Sequence, residues 1–265
     1  MPTRSELAGT VLHGDDFSPS QISEWYVEEE NAYADLYASN PDYEYEYEPF
    51  NKLNGFSFLP RRRFTHAVGM GSAFGDELRP IVDRLDRLTI IESADTYREA
   101  AALPVPTEWR KADVLGTIDL PDGSADLVTC FGVLHHIPNV SHVVNEIGRV
   151  TRSGGYALIR EPVISMGDWS APRKGLTPRE RGIPEGLLVG AALDAGFEVK
   201  KQVWCMFSLV GLFARKADVH VYNYGLVVRL DRLLARSFVW NYRYHPHKFW
   251  HKIRPTSVFL VLRKI

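Results

Sequence analysis

The chain has 265 residues, of which 45% are hydrophobic and 24% charged, and a formal net charge of −2. That length suits one sizeable globular domain with a small appendage, and a core of this size folds without disulfides or a structural metal. Cys130 and Cys205 are the only cysteines, which argues against a disulfide framework or a zinc cluster.

Met1 to Asp16 is polar and unlike a signal peptide, and the longest apolar run, Val203 to Ala214, is too short to cross a bilayer. A cytoplasmic protein is expected. The small net charge hides an asymmetry: Asp15 to Glu48 holds acids and no Lys or Arg, whereas Arg215 to Lys264 holds only two acids, Asp218 and Asp231. Either the two ends face each other, or the basic end meets an anionic substrate or a membrane surface.

In chain order, residues 1–55 read as an N-terminal helical cap. Ile22, Trp25, Tyr26, Ala32, Tyr33 and Leu36 share a broad apolar face over Ile22 to Leu36. The Tyr-Glu alternation from Tyr43 to Glu48 reads as a loop. From Phe64 onward strands alternate with helices: a strand ending at Gly69, a helix over 74–85, a strand over 88–92 and a helix over 94–102. A short strand precedes Asp113. A strand over 125–131, a helix over 140–151 and a strand over 156–161 follow. A further helix spans 184–196, and strands span 197–203 and 257–262. Strands alternating with helices predict an α/β fold, a twisted and mostly parallel sheet with helices on both faces. The domain is expected over 56–204 and 255–265, interrupted by an aromatic and basic insertion over 205–254.

Thr65 to Glu92 reads as strand, Gly-containing turn, helix and second strand ending on a carboxylate. Gly69 and Gly71 lack a Cβ and so let backbone approach a ligand closely. Glu92 could accept hydrogen bonds from both hydroxyls of a ribose, which points to an adenosine-containing cofactor.

Asp113 to Pro162 reads DVLGTIDLPDGSADLVTCFGVLHHIPNVSHVVNEIGRVTRSGGYALIREP. An aspartate, Leu-Pro, Ser-x-Asp, a Val-Leu-His-His turn, a Glu-x-x-Arg-Val helix and a Gly-Gly turn follow in order. This concatenation resembles the class I S-adenosylmethionine-dependent methyltransferases, in particular the type 11 group that includes the quinone-biosynthesis methyltransferases, over about 64–203. The resemblance implies a Rossmann-like sheet of seven strands with the last one antiparallel, and S-adenosylmethionine as cofactor. It places Gly69 and Gly71 beneath the methionine and ribose, Glu92 on the ribose, and Asp113 with Val114 on the adenine. Phe131 and Gly132 fall under the methionine part. The family usually carries an acid two residues before the first glycine; here that residue is Ala67, which puts the hold on the cofactor's amino group in doubt.

His135 or His136 could act as general base, because an imidazole titrates near neutrality; His135 is expected to face the pocket. The competing reading of both is a structural turn. Glu161 could orient an acceptor, or pair with an arginine. Asp168 and Trp169 combine a polar group with an aromatic platform, as sugar sites do. Arg173, Lys174, Arg179 and Arg181 could clamp phosphate, or simply be solvated. This segment is also similar to methyltransferases of bacterial surface-glycan synthesis.

Gly225 to Trp240 spaces Leu226, Leu230, Leu233, Leu234 and Phe238 as one helix face, with Arg229, Arg232 and Arg236 on another. It suits a lid, a homodimer interface or a peripheral membrane contact. His245, His247 and His251 lack acidic or cysteine partners at ligand spacing, so no metal is expected, and no nucleic acid. The expected activity is methyl transfer to a hydroxyl, or an amine, of a sugar, nucleotide-sugar or glycan intermediate. The alternative from another class is a catalytically degenerate cofactor-binding or scaffold protein; a nicotinamide-dependent oxidoreductase shares only the Gly turn and Glu92.

Overall fold

A computed structural model describes residues 2–38, 45–98, 103–169, 171, 173 and 175–265 of the chain, with the side chains of 33–38 left out. Seven strands form one sheet: β1 (Ala67–Met70), β2 (Leu88–Glu92), β3 (Thr107–Lys111), β4 (Ala125–Phe131), β5 (Thr151–Pro162), β6 (Phe197–Phe207) and β7 (Pro255–Lys264). Their order is β3-β2-β1-β4-β5-β7-β6. All neighbouring pairs are parallel except those of β7, which runs antiparallel to both β5 and β6. The Rossmann-like sheet with its antiparallel last strand is as the sequence implied.

Every residue of β1 and β2 is buried. Strands covered on both faces are mostly apolar, and here the polar exceptions are Thr89 and the terminal Glu92 of β2. The chain reverses its lateral direction between β1 and β4, which opens a crevice beyond their carboxyl ends.

The helices are α1 (Arg4–Ala8), α2 (Pro19–Ala38), α3 (Glu48–Asn54), α4 (Val140–Val150), α5 (Glu185–Asp194), α6 (Ser208–Ala217) and α7 (Gly225–Ser237). On α4, Val140, Val143, Val144, Ile147 and Val150 repeat at helical spacing and are all buried against one face of the sheet. The opposite face is covered by Phe50 of α3, Leu78 and Ile81, and Val228 of α7.

Three expectations change. The helix expected over 74–85 is a 3-10 run over Asp76–Arg84 with Pro80 inside it. Proline lacks an N–H and its ring crowds the carbonyl four residues back, which disfavours a continuous α-helix through Pro80. Of the helix expected over 94–102, the described part holds one 3-10 turn, Asp95–Tyr97; residues 99–102 lie outside the described residues. The strand expected over 197–203 runs on to Phe207, and Asp231 of α7 caps its end by accepting from the Met206 and Phe207 N–H groups at 2.8 and 2.7 Å.

The acidic N-terminal segment packs over the crevice. Trp25 of α2 is 1% exposed, donates from Nε1 to the His136 carbonyl at 2.7 Å, and lies under the guanidinium of Arg181. Of the Tyr-Glu alternation, Tyr43 and Glu44 lie outside the described residues; Tyr45 to Tyr47 form no regular element, and α3 starts at Glu48. Among the described residues, no helix is long and apolar enough to cross a membrane.

Candidate functional site

A cavity opens beyond the carboxyl ends of β1, β2 and β4. Met70 and Gly71 form its floor, Glu92 and Asp113 one wall, Gly132 and Val133 the opposite wall, and Tyr26 and His136 its cover. The chain enters it through a tight turn at Gly71, where φ is +57° and a Cβ would come within 2.5 Å of Val133. A larger residue there would have to shift the wall, so glycine holds the turn open.

Two carboxylates supply the polar side. Glu92 ends β2, is 3% exposed, and is fixed by the Ala73 and Ser93 N–H groups at 2.9 and 2.7 Å. Asp113 follows β3, and its Oδ2 accepts from the Leu115 and Thr117 N–H groups at 3.0 and 3.1 Å. Burial, then the charges of Glu30, Glu92 and Asp113, push the Tyr26 hydroxyl pKa up, so it stays a donor. Ile91, Val114, Ile118 and Ile137 make the remaining surface apolar.

This donor set matches an adenosine moiety: acceptors for two hydroxyls and an amino group, flanked by apolar walls for the base. Of the residues expected to bind the cofactor, Gly71, Glu92, Asp113, Val114 and Gly132 line the cavity, while Gly69 and Phe131 do not. Phe131 instead packs against Phe56 and Phe259, with ring centroids 6.0 and 5.0 Å away. Ala67 is fully buried in β1. A carboxyl does lie under the same turn, from another element: a Cβ on Gly69 would sit 3.4 Å from Oε1 of Glu77, whose pKa burial pushes up to about 7.

The two histidines part company. His135 is 8% exposed and outside the cavity lining; Nδ1 donates to Glu161 at 2.7 Å and Nε2 faces Glu180 at 3.5 Å. Burial lowers its pKa, but the charge and hydrogen bond of Glu161, then Glu180, outweigh this and bring it to about 9. At neutral pH it is a cation held between two carboxylates. His136 is the member that lines the cavity. Its Nδ1 donates to Glu29 at 2.7 Å, while burial and the neighbouring His135 charge lower its pKa, leaving Nε2 an unprotonated acceptor. Among the described residues no hydrogen bond engages that Nε2.

Glu161 is fully buried, accepting from the Val133 and Leu134 N–H groups at 2.9 and 2.8 Å besides His135. It ties the end of β5 to the turn after β4. The loop after β5 is likewise committed to holding the cover. Arg181, fully buried, donates to the carbonyls of His13, His135, Ile137 and Pro138. Arg179 pairs with Glu28 at 2.7 Å, and Arg173 donates to the carbonyls of Met166, Thr177 and Pro178. Trp169 is 6% exposed against His13, whereas Asp168 is exposed. Lys174 lies outside the described residues.

A second, larger cavity of about 980 Å³ lies on the same sheet edge, beyond the ends of β5 and β6. Pro162, Met166, Met206, Arg215, His220 and Arg254 are among its walls. Sequence reading passed over this cavity and over Glu29. The acidic run Glu28-Glu29-Glu30 was the only signal for Glu29, and nothing in a linear sequence says which of three adjacent acids meets a histidine 107 residues away.

Among the described residues, His135, His136 and Glu180 also place one ligand atom each within 4.8 Å of one another. Nδ1 of each histidine is already engaged by a carboxylate, and Glu180 is held by the Thr177 N–H at 3.0 Å.

Residues 68–159 match the family model described as a methyltransferase domain. A protein of Mycolicibacterium smegmatis described as a probable S-adenosylmethionine-dependent methyltransferase is 32% identical over 140 residues, covering 50% of this chain and 51% of that one. One of Mycobacterium tuberculosis (strain H37Rv), so described too, is 30% identical over 137 residues, covering 49% and 47%. The chain thus spans about half the length of the curated relatives it matches. A solved S-adenosylmethionine-dependent methyltransferase of Mesorhizobium loti shares the fold, with a TM-score of 0.53 at 16% identity over 79% of this chain and 95% of that one.

Proposed function

We propose that the chain is an S-adenosylmethionine-dependent methyltransferase acting on a hydroxyl, or an amine, of a small anionic acceptor such as a phosphorylated sugar or glycan intermediate. The observation that carries the reading is the cavity framed by Gly71, Glu92 and Asp113 at the point where the sheet reverses direction, inside the segment that matches the methyltransferase domain. When bound there, the cofactor supplies a methyl group activated by its sulfonium.

Glu92 would accept from the ribose hydroxyls and Asp113 from the adenine amino group, with Val114 and Ile118 against the base. His136 would take the acceptor's proton on Nε2 while Glu29 holds its Nδ1–H, the tautomer that leaves Nε2 basic. Glu29 is then a positioning residue. α2 covers the cavity and keeps water from the reacting atoms. Arg215, Lys252 and Arg254 outnumber Glu46 and Asp218 in the walls of the second cavity, and this excess of cations supports an anionic acceptor rather than a neutral one.

Calorimetric titration with S-adenosylmethionine and S-adenosylhomocysteine, on wild type and Glu92→Ala, tests the reading. Micromolar binding that the substitution weakens is expected. No binding of either ligand to folded protein would overturn it and leave the scaffold alternative that Ala67 motivates.

A further inference from the structure

The insertion turns an apolar face outward. On α7 the residues packed inward are Val228, Asp231 and Ala235; Leu226, Leu230 and Leu233 lie on the opposite side, 79%, 51% and 62% exposed. The leucine spacing that the sequence left open between a lid, an interface and a membrane contact thus marks a solvent-facing stripe. Phe213 of α6 and, past the end of α7, Trp240 and Phe249 are exposed by 66%, 71% and 79%. The side chain of Asn241 donates to the Trp250 and Ile253 carbonyls at 2.7 and 2.8 Å, which joins the two aromatic turns. Scattered exposed leucines need no explanation, but a concentration of them in one segment does.

The charges around this face are mostly positive, with Asp218 after α6 the exposed exception. Residues 205–254 contain nine Lys and Arg and two acids, in a chain whose net charge is −2. One of those acids, Asp231, is buried, as is one of the cations, Arg254, which leaves eight Lys and Arg and one acid outside the core. Among the described residues none of those nine cations forms a salt bridge: of the N-terminal acids, Glu28 is taken up by Arg179, Glu29 by His136 and Glu30 by Lys111, and Glu46 meets only the imidazole of His220 in the insertion, at 2.6 Å. On α7, Arg229 and Arg236 flank the leucine face at helical positions beside it.

We propose that the α6–α7 face docks on an anionic lipid bilayer, with Leu226, Leu230, Leu233 and the tryptophans entering the headgroup layer and the arginines meeting lipid phosphates. Interfacial helices carry this combination of exposed aliphatics, tryptophan and unpaired basic groups. A two-fold contact between copies would bring the same unpaired cations face to face, which like-charge repulsion opposes. A nucleic acid would give the exposed leucines no role. Gly211, Ala214 and Arg215 of α6 line the second cavity, so docking would set that cavity beside the headgroups. That the acceptor is itself lipid-borne rests on the function proposed above; the docking does not.

The test is flotation of the full chain with vesicles of phosphatidylcholine alone or with phosphatidylglycerol added, at two salt concentrations, for wild type and the triple variant Leu226→Asp, Leu230→Asp and Leu233→Asp. The substituted side chains are exposed, so folding is expected to survive, and circular dichroism checks it. The expected result is capture by the anionic vesicles alone, reduced roughly tenfold or more in the variant and weakened by salt. Absence of capture, equal capture by neutral vesicles, or undiminished capture of the variant would overturn the proposal. So would a wild-type dimer that the variant abolishes without vesicle binding. Cofactor titration of the same variant is expected to match wild type, which separates failure of this proposal from failure of the methyltransferase reading.

Discussion

His136 and Glu29 lie 107 residues apart in sequence and 2.7 Å apart in the structure, and the carboxylate fixes which imidazole nitrogen is left free. The pair joins the N-terminal cover to the turn after β4. It makes α2 part of the site, because the Tyr26 ring of the same helix also lines the cavity.

If His136 accepts the proton, His136→Ala lowers turnover by about 10²-fold or more with cofactor affinity nearly unchanged. Glu29→Gln keeps the shape but removes the charge that favours protonated His136. The imidazole pKa then falls further, and the acid limb of the rate profile moves to lower pH, with a smaller loss of turnover. A pH–rate profile checks this; an acid limb in the same place would remove Glu29 from the positioning role.

The buried Glu161–His135–Glu180 arrangement makes stability pH-dependent from both sides. His135 is raised to about 9, so its contribution is complete below its ordinary 6.5 and is lost as pH rises through about 9. Glu180 is brought down to about 2 by His135 and His136 against the effect of burial, so its contribution is complete above 4.5 and is lost as pH falls through about 2. Urea midpoints are therefore highest between about pH 4.5 and 6.5. His135→Gln should flatten the alkaline limb; an unchanged limb would refute the assignment.

Arg181→Met is expected to act on stability alone. It leaves buried carbonyls without their donor, at a cost of about 1–3 kcal/mol for each group left unsatisfied. Denaturant unfolding should show the loss, while the KM for the acceptor, measured on folded protein, stays as in wild type. A raised KM with unchanged stability would return Arg181 to a substrate clamp.

Trp25→Ala probes the same junction from the other side. Emptying a site this buried costs about 3–5 kcal/mol and frees the carbonyl of His136. Thermal unfolding should show a lower midpoint, and cofactor affinity should fall because α2 no longer covers the cavity. A variant as stable as wild type would mean that α2 is docked by other contacts.

Gly71→Ala tests the floor. The positive φ and the Val133 contact both oppose a Cβ. Cofactor affinity should fall by about tenfold or more, for a strain of about 1–3 kcal/mol. Unchanged affinity would show that the wall yields.

The central strands were legible because burial on both faces favours apolar runs, and Leu88 to Glu92 shows such a run ending on the acid that lines the cavity. Glu92, Asp113 and Gly71 were legible too, since each sits at a strand end or turn where local sequence alone places it. The histidine pair was readable only as a pair. Which of the two faces the cavity depends on Glu161, Glu180 and Glu29, supplied by three separate segments.

Amphipathic spacing on α7 determined that one side of the helix would differ from the other. It did not determine which side faces the core. Tertiary packing chose Val228, Asp231 and Ala235, because Asp231 is needed to satisfy the N–H groups at the end of β6, and a helix can turn only one face inward. The arginines of 173–181 follow the same logic. Sequence fixes their charge, but whether a guanidinium meets a ligand or a backbone carbonyl is decided by what the fold leaves unpaired around it.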